Sequence, residues 1–243
     1  MIFFVIVVIT TYVLIHSIEM SSIGTRIAGR MTSRVALGTT LSQSIYALSR
    51  FGLIIFLPCL AYLVESGITI NDYLILVIVA YVLTFIVSIF MIIKINSLQL
   101  FYQVVFEKYA VNTIPIAILK SLTYKKKDLN RAACENFSLD KIIFKKTFVS
   151  FLAYLFLITG FFNAFMLAIL FPENRLTVSQ FVATFHGFGA VIFAFYLDPM
   201  LSRSIDSYSD EASWLQNVYS IMLGRLLSYF LMIILLLVLL FFI

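Results

Sequence analysis

The sequence predicts an all-α integral membrane protein of about six transmembrane helices. Two observations carry that prediction. Hydrophobic residues make up 62% of the chain and charged residues only 12%, with a mean hydropathy of +1.06. That balance exceeds what a water-soluble domain of 243 residues can bury. The apolar residues are also gathered into continuous runs, where a barrel strand would alternate, and a helical run of about 20 apolar residues spans a bilayer core.

The runs place the spans at residues 2–17, 35–64, 73–95, 147–171, 178–197 and 218–243, within a single polytopic domain over 1–243. The first follows Met1 with no basic stretch and no small-x-small cleavage pattern, so it reads as a membrane helix and not as a signal peptide. The second opens with small and polar residues (Gly38, Thr39, Thr40, Ser42, Gln43, Ser44, Ser49), turns apolar at Phe51 and carries Pro58, which predicts a kink. The third and fourth rest on apolar continuity. The fifth contains Ser179, Gln180, Thr184, His186, Gly187 and Gly189, and Pro199 after Asp198 predicts a sharp stop. The sixth is apolar apart from Arg225 near its start.

Basic residues near span ends favour the cytoplasm. A six-span path puts Arg26, Arg30, Arg34, ten basic residues from Lys94 to Lys146, and Arg203 on one side, against Arg175 on the other. Both termini are therefore expected outside, with a large basic cytoplasmic segment, residues 96–146, between helices 3 and 4. Its first part mixes Leu100, Phe101, Val104, Val105 and Tyr109 with Gln103, Glu107 and Lys108 at helical spacing, the pattern of a helix lying on the membrane surface. The Lys125–Lys127 run either attracts anionic lipid headgroups or only enforces topology. Nucleic acid is not indicated, because few aromatics interleave with the basic residues.

Charge is scarce in this chain, so its arginines need a reason. Helical spacing puts His16, Glu19, Arg26, Arg30 and Arg34 on one broad face, unless Gly24 or Gly29 breaks the helix. Guanidinium groups grip phosphate oxygens in bidentate fashion and keep their charge, so Arg26, Arg30 and Arg34 suit a phosphate ligand. They serve equally as topology signals, although no lysine occurs in residues 1–93. Arg50 lies inside the second span, where a central arginine costs on the order of 3 kcal/mol. It faces either a cavity or partner, or snorkels to the inner surface. His186 is a functional candidate or a helix-packing hydrogen bond. Asp198, Asp206, Asp210 and Glu211 form an acidic patch able to answer the first-loop arginines.

Cys59 and Cys134 form no Cys-x-x-Cys pair, and no glycine precedes a lysine as in a phosphate-binding loop for ATP. Gly-x-Ser-x-Gly and His-Glu-x-x-His are also missing, so no cofactor or metal is expected.

At these residues the chain resembles the Amj (alternate-to-MurJ) lipid II flippases of bacteria. The likeness rests on His16 and Glu19 flanking Ser17-Ile18, on Thr25-Arg26, Gly29-Arg30, Thr32, Arg34 and Ala36, on Ser49-Arg50, and on Asp198-Pro199 with Leu201-Ser202. Ile23-Gly24 stands where the family pattern has an aromatic, and Phe51-Gly52-Leu53 where it has an asparagine, which makes this a divergent member. The resemblance implies a multi-pass protein of the bacterial cytoplasmic membrane that moves undecaprenyl-pyrophosphate-linked peptidoglycan precursor from the inner to the outer leaflet, without hydrolysing ATP. Arg26, Arg30, Arg34 and Arg50 would bind the pyrophosphate. The driving force would be the membrane potential, use of the product outside, or protons coupled through His16 and Glu19; His16, Glu19, Gln43, Gln180, His186 and Asp198 would serve in proton coupling or in a polar cavity, within a monomer or a homodimer. The alternatives are a membrane-embedded prenyl-pyrophosphate phosphatase using Glu19 and His16, and a non-catalytic scaffold.

Overall fold

The computed structural model describes residues 1–123, 138, 142–207 and 211–243, and it omits the side chains of 205–207 and 211–212. Among the described residues the regular structure is helical throughout. Six runs are long and apolar enough to cross a membrane. The basic residues Lys125, Lys126, Lys127, Arg131 and Lys141, together with Cys134 and Asp210, lie outside the described residues, as do the side chains of Asp206 and Glu211.

The first pair of helices, α1 (Ile2–Met31) and α2 (Val35–Glu65), forms an antiparallel hairpin. Phe4 packs on Tyr62, Tyr12 on Phe56, and Ser49 Oγ donates to Glu19 Oε1, so the register holds along the whole pair. The turn is closed by Ser33 at φ 56. Beside it the backbones nearly touch: a Cβ on Gly38 would stand 2.7 Å from the Thr25 carbonyl oxygen and 2.8 Å from Gly29 Cα. Gly29 therefore does not break α1 but lets α2 approach it, and Gly24 similarly accepts Leu98 of the following helices. The expected end of the first span at Ser17 is corrected by these contacts. Helix continues to Met31 because the polar turns beyond Ser17 are covered by neighbouring helices.

Helix α2 ends in a Schellman motif, with Gly67 at φ 79 and Gly67 and Ile68 N–H donating to Val64 and Leu63. Thr69 then caps α3 (Ile70–Ile93) by accepting from the Asp72 N–H at 3.2 Å, which starts this span before the expected Tyr73. Lys94 ends it, and α4 (Ile95–Tyr109) and α5 (Ile114–Leu122) follow. The predicted amphipathic helix thus forms, but its inward face is not left for lipid. Tyr102, Val105 and Phe106 pack with Ala28, Leu41, Ile45 and Ala117.

Helix α6 (Phe144–Leu170) runs parallel to α10 (Glu211–Phe242), since Ile143 N–H donates to Ser220 and Ser228 Oγ to the Phe151 carbonyl. Between them comes a broken run: a 3-10 turn at Pro172–Asn174, α7 (Arg175–Ser179), α8 (Phe181–Ile192), a π turn at Phe193–Leu197, and α9 (Asp198–Ser207). Pro199 does not stop this run, contrary to expectation. Asp198 N–H reaches back to the Phe193 carbonyl, five residues away, and Pro199 follows this π turn as the second residue of α9.

The contacts set α1, α3 and the α7–α9 run in one direction and α2, α6 and α10 in the other. Both termini therefore share one end of the bundle. An aromatic layer of Tyr12, Phe56, Tyr81, Phe162 and Tyr229 fills its centre. Outward, Phe3, Ile54, Ile86, Phe195 and Phe241 are each more than half exposed, an apolar surface that acyl chains cover in a membrane.

Candidate functional site

Three arginines are turned into the bundle, and each is held by a different set of helices. The deepest is Arg225 on α10, only 1% exposed. Its Nη2 lies 3.0 Å from Glu19 Oε2, 2.9 Å from His16 Nδ1 and 3.1 Å from the His16 carbonyl oxygen. Glu19 Oε1 accepts from Ser49, and His16 Nδ1 is 3.2 Å from Glu19 Oε2. The guanidinium also covers the Tyr154 ring at 4.8 Å. A pair of opposite charges taken out of water holds only when further hydrogen bonds satisfy it, and here those bonds knit α1, α2, α6 and α10 together.

Arg26 on α1 is the second, 6% exposed. Its Nη2 donates to Asp198 Oδ1, and its Nε donates to Ser42 Oγ at 3.3 Å. Its Nη1 is buried with no hydrogen-bond partner among the described residues. Arg26, Asp198, Ser42 and Glu19 line a cavity of about 140 Å³ with Gln43 and Tyr46. The π turn sits immediately before Asp198, so the widening of the helix is what presents this carboxylate to the cavity. The expected answer of the acidic patch to the arginines is thus realised at Asp198.

Arg50 on α2 is the third. Its Nη1 stands 2.6 Å from His186 Nε2, its Nη2 donates to the Tyr46 hydroxyl at 2.6 Å, and its Cζ lies 4.7 Å from the Tyr46 ring centre. A guanidinium only donates, so His186 Nε2 accepts and the imidazole proton sits on Nδ1. This contact bridges α2 to α8. Arg50 thus has its partners within the bundle, on α2 and α8.

The expected face is kept from His16 to Arg30, because α1 is unbroken to Met31, and only Arg34 leaves it. Arg30 is half-buried with its Cζ 5.5 Å from the Trp214 ring centre. Arg34 falls beyond the end of α1, where the Ser33 turn redirects it, and its Nη1 donates to the Phe106 carbonyl at 3.3 Å. Gln180 lines a separate cavity of about 590 Å³ toward the end that holds the termini, with Leu57, Ala61, Phe165 and Arg175. Arg225 was missed as a site residue. The signal was present, since the argument that singled out Arg50 as a charge within a span applies equally to Arg225.

Along the α7–α9 run the polar partners follow in order. Asp198 stands beside Arg26, His186 beside Arg50, and Arg175 opens α7, so cationic groups meet the run at three successive positions. Such a ladder suits an anionic group held within a bundle. Among the described residues no group of three or more His, Cys, Asp or Glu is placed to hold a metal ion.

The family described as Amj, Alternate to MurJ, matches residues 11–242 of the chain. No curated protein and no solved structure matches it.

Proposed function

Since the chain belongs to the Amj family, we propose that it moves lipid II, the undecaprenyl-pyrophosphate-linked peptidoglycan precursor, from the inner to the outer leaflet of the bacterial cytoplasmic membrane. The observation that carries this reading is the pair Arg26 and Arg50, two guanidinium groups at successive depths beside a polar cavity and the α2–α8 bridge. The excess of basic residues at the end opposite the termini supports an orientation with that end in the cytoplasm, beside anionic headgroups.

In this reading the pyrophosphate enters at the cavity of Arg26, passing Arg30 at its rim. Asp198 occupies Arg26 in the resting state, and the incoming phosphate replaces it, taking up the free Nη1 donor as well. Arg50 then exchanges His186 for the phosphate, which opens the contact between α2 and α8. The prenyl tail stays in lipid outside that seam. Gln43 and Ser42 offer hydrogen bonds to the headgroup. Arg34 anchors α4 and does not reach the ligand.

The phosphatase reading is weaker, because both Glu19 oxygens are committed to Arg225, His16 and Ser49. Proton coupling through His16 and Glu19 would require that network to open. An inside-negative potential favours outward movement of negative charge by about 2.3 kcal/mol per uncompensated charge per 100 mV, which supplies a driving force without ATP.

The test is leaflet accessibility of labelled lipid II in proteoliposomes. The wild-type chain exposes the precursor in the far leaflet, and Arg50→Ala, correctly inserted, loses at least tenfold in rate. Transfer at the wild-type rate by Arg50→Ala would refute this path, and release of inorganic phosphate would favour the phosphatase.

A further inference from the structure

A second cavity opens near the chain termini, apart from the one that holds Arg26. At about 590 Å³ it falls within the ~300–1,000 Å³ of small-molecule sites. Leu57 and Ala61 of α2, Phe165 of α6 and Val182 of α8 give it apolar surface, and Arg175, Gln180 and Glu65 give it polar groups. Arg175 Nε is buried, and among the described residues it has no hydrogen-bond partner and no carboxylate pairs with the side chain. A buried guanidinium donor without an acceptor is costly, and it is relieved by an anion. Apolar surface and a cation within one void match an amphiphile, with its anionic head on Arg175 and its first hydrocarbon units along α2 and α6.

We propose that this cavity is a second binding site, for a lipid bearing a phosphate or pyrophosphate head, in which Arg175 holds the phosphate and Gln180 hydrogen-bonds the head. It rests on the transport reading, and in that sequence of events it is the position from which the translocated lipid leaves. Arg175 is the third cation along the run, on α7 before the His186 of α8. Glu65 lines the same cavity and works against the phosphate, which favours release.

Photolabelling tests this with the full-length chain in phosphatidylcholine nanodiscs and two probes, a photoreactive farnesyl pyrophosphate and the corresponding farnesol. The pyrophosphate probe is expected to label peptides containing residues 57–65 and 176–183. That labelling falls at least tenfold in Arg175→Gln, is restored in Arg175→Lys, and rises in Glu65→Gln. Arg50→Gln leaves it in place. Equal labelling by the farnesol probe, or labelling indifferent to Arg175→Gln and Arg175→Lys alike, would overturn the proposal. Competition by inorganic pyrophosphate as strong as by unlabelled farnesyl pyrophosphate would assign the site to a free anion and overturn its assignment to a lipid. Lipid II transfer measured on the same variants separates the two readings. Labelling without transfer keeps this site and refutes the flippase, whereas transfer without labelling refutes this site alone.

Discussion

Replacing Arg225 with methionine removes the only cation in contact with Glu19 among the described residues while keeping much of the side-chain volume. Glu19 is 7% exposed, so its carboxylate would be left in a low-dielectric interior with only Ser49 and His16 to satisfy it. Breaking a buried pair by removing one partner costs about 3–5 kcal/mol, which corresponds to at least two orders of magnitude in the folding equilibrium. Removing both partners does not carry that penalty, because no uncompensated charge remains. The double variant Arg225→Met with Glu19→Gln should therefore recover most of the loss, with a coupling of about 2 kcal/mol or more in the cycle. Reversible unfolding of the purified protein in mixed micelles, read by tryptophan fluorescence, measures each corner, since Trp214 is fully buried on the same helix, α10. If Arg225→Met were as stable as the parent, or the double variant no better than the single, the account of Glu19 and Arg225 as a mutually dependent pair would be wrong.

Other expectations follow from the same geometry. Asp198→Asn removes the carboxylate that competes for Arg26, so binding of a soluble short-chain prenyl pyrophosphate should tighten roughly fivefold, or about 1 kcal/mol, by titration calorimetry; unchanged binding would remove Asp198 from the role of resting partner. Gly38→Ala puts a Cβ 2.7 Å from a backbone carbonyl that has no room to yield, and it should lower stability by about 1–3 kcal/mol in the same unfolding assay, with Gly187→Ala, where nothing lies within 4 Å, as the neutral comparison. An imposed potential of 100 mV, negative on the side of lipid loading, should bias lipid II toward the far leaflet by up to roughly fiftyfold per uncompensated charge. Insensitivity to the potential would mean that the arginines carry the charge balance with them.

Several elements were legible from residue order because they depend on composition over a whole run. The six spans, the surface-type helix after Lys94 and the hinge of polarity within the second span all came from apolar continuity and helical period. Boundaries failed where burial by neighbours replaced lipid as the apolar environment. The stretch from Ile18 to Met31 is too polar for a lipid-facing span, yet it is helix because α2, α4, α9 and α10 cover it. Pro199 did not act as a stop: it follows a π turn, which has no sequence period of its own, in the first turn of α9. Among the site residues, Arg50 and Asp198 were recognisable from the cost of charge at depth and from the acidic patch. Arg34 was misplaced because a single left-handed residue, Ser33, ends the helical face on which it was counted.

By itself the sequence determined the class of the molecule and the number of runs long and apolar enough to cross a membrane, and it singled out the arginines that lie within them. These are additive properties of the chain, since transfer into a membrane sums over residues wherever they come to pack. Which acid answers which arginine was decided only by the tertiary structure. Glu19 meets Arg225 across 206 positions and Arg26 meets Asp198 across 172. Such pairings depend on helix direction, rotation and a local π turn, and on the exclusion of water that only the assembled bundle creates.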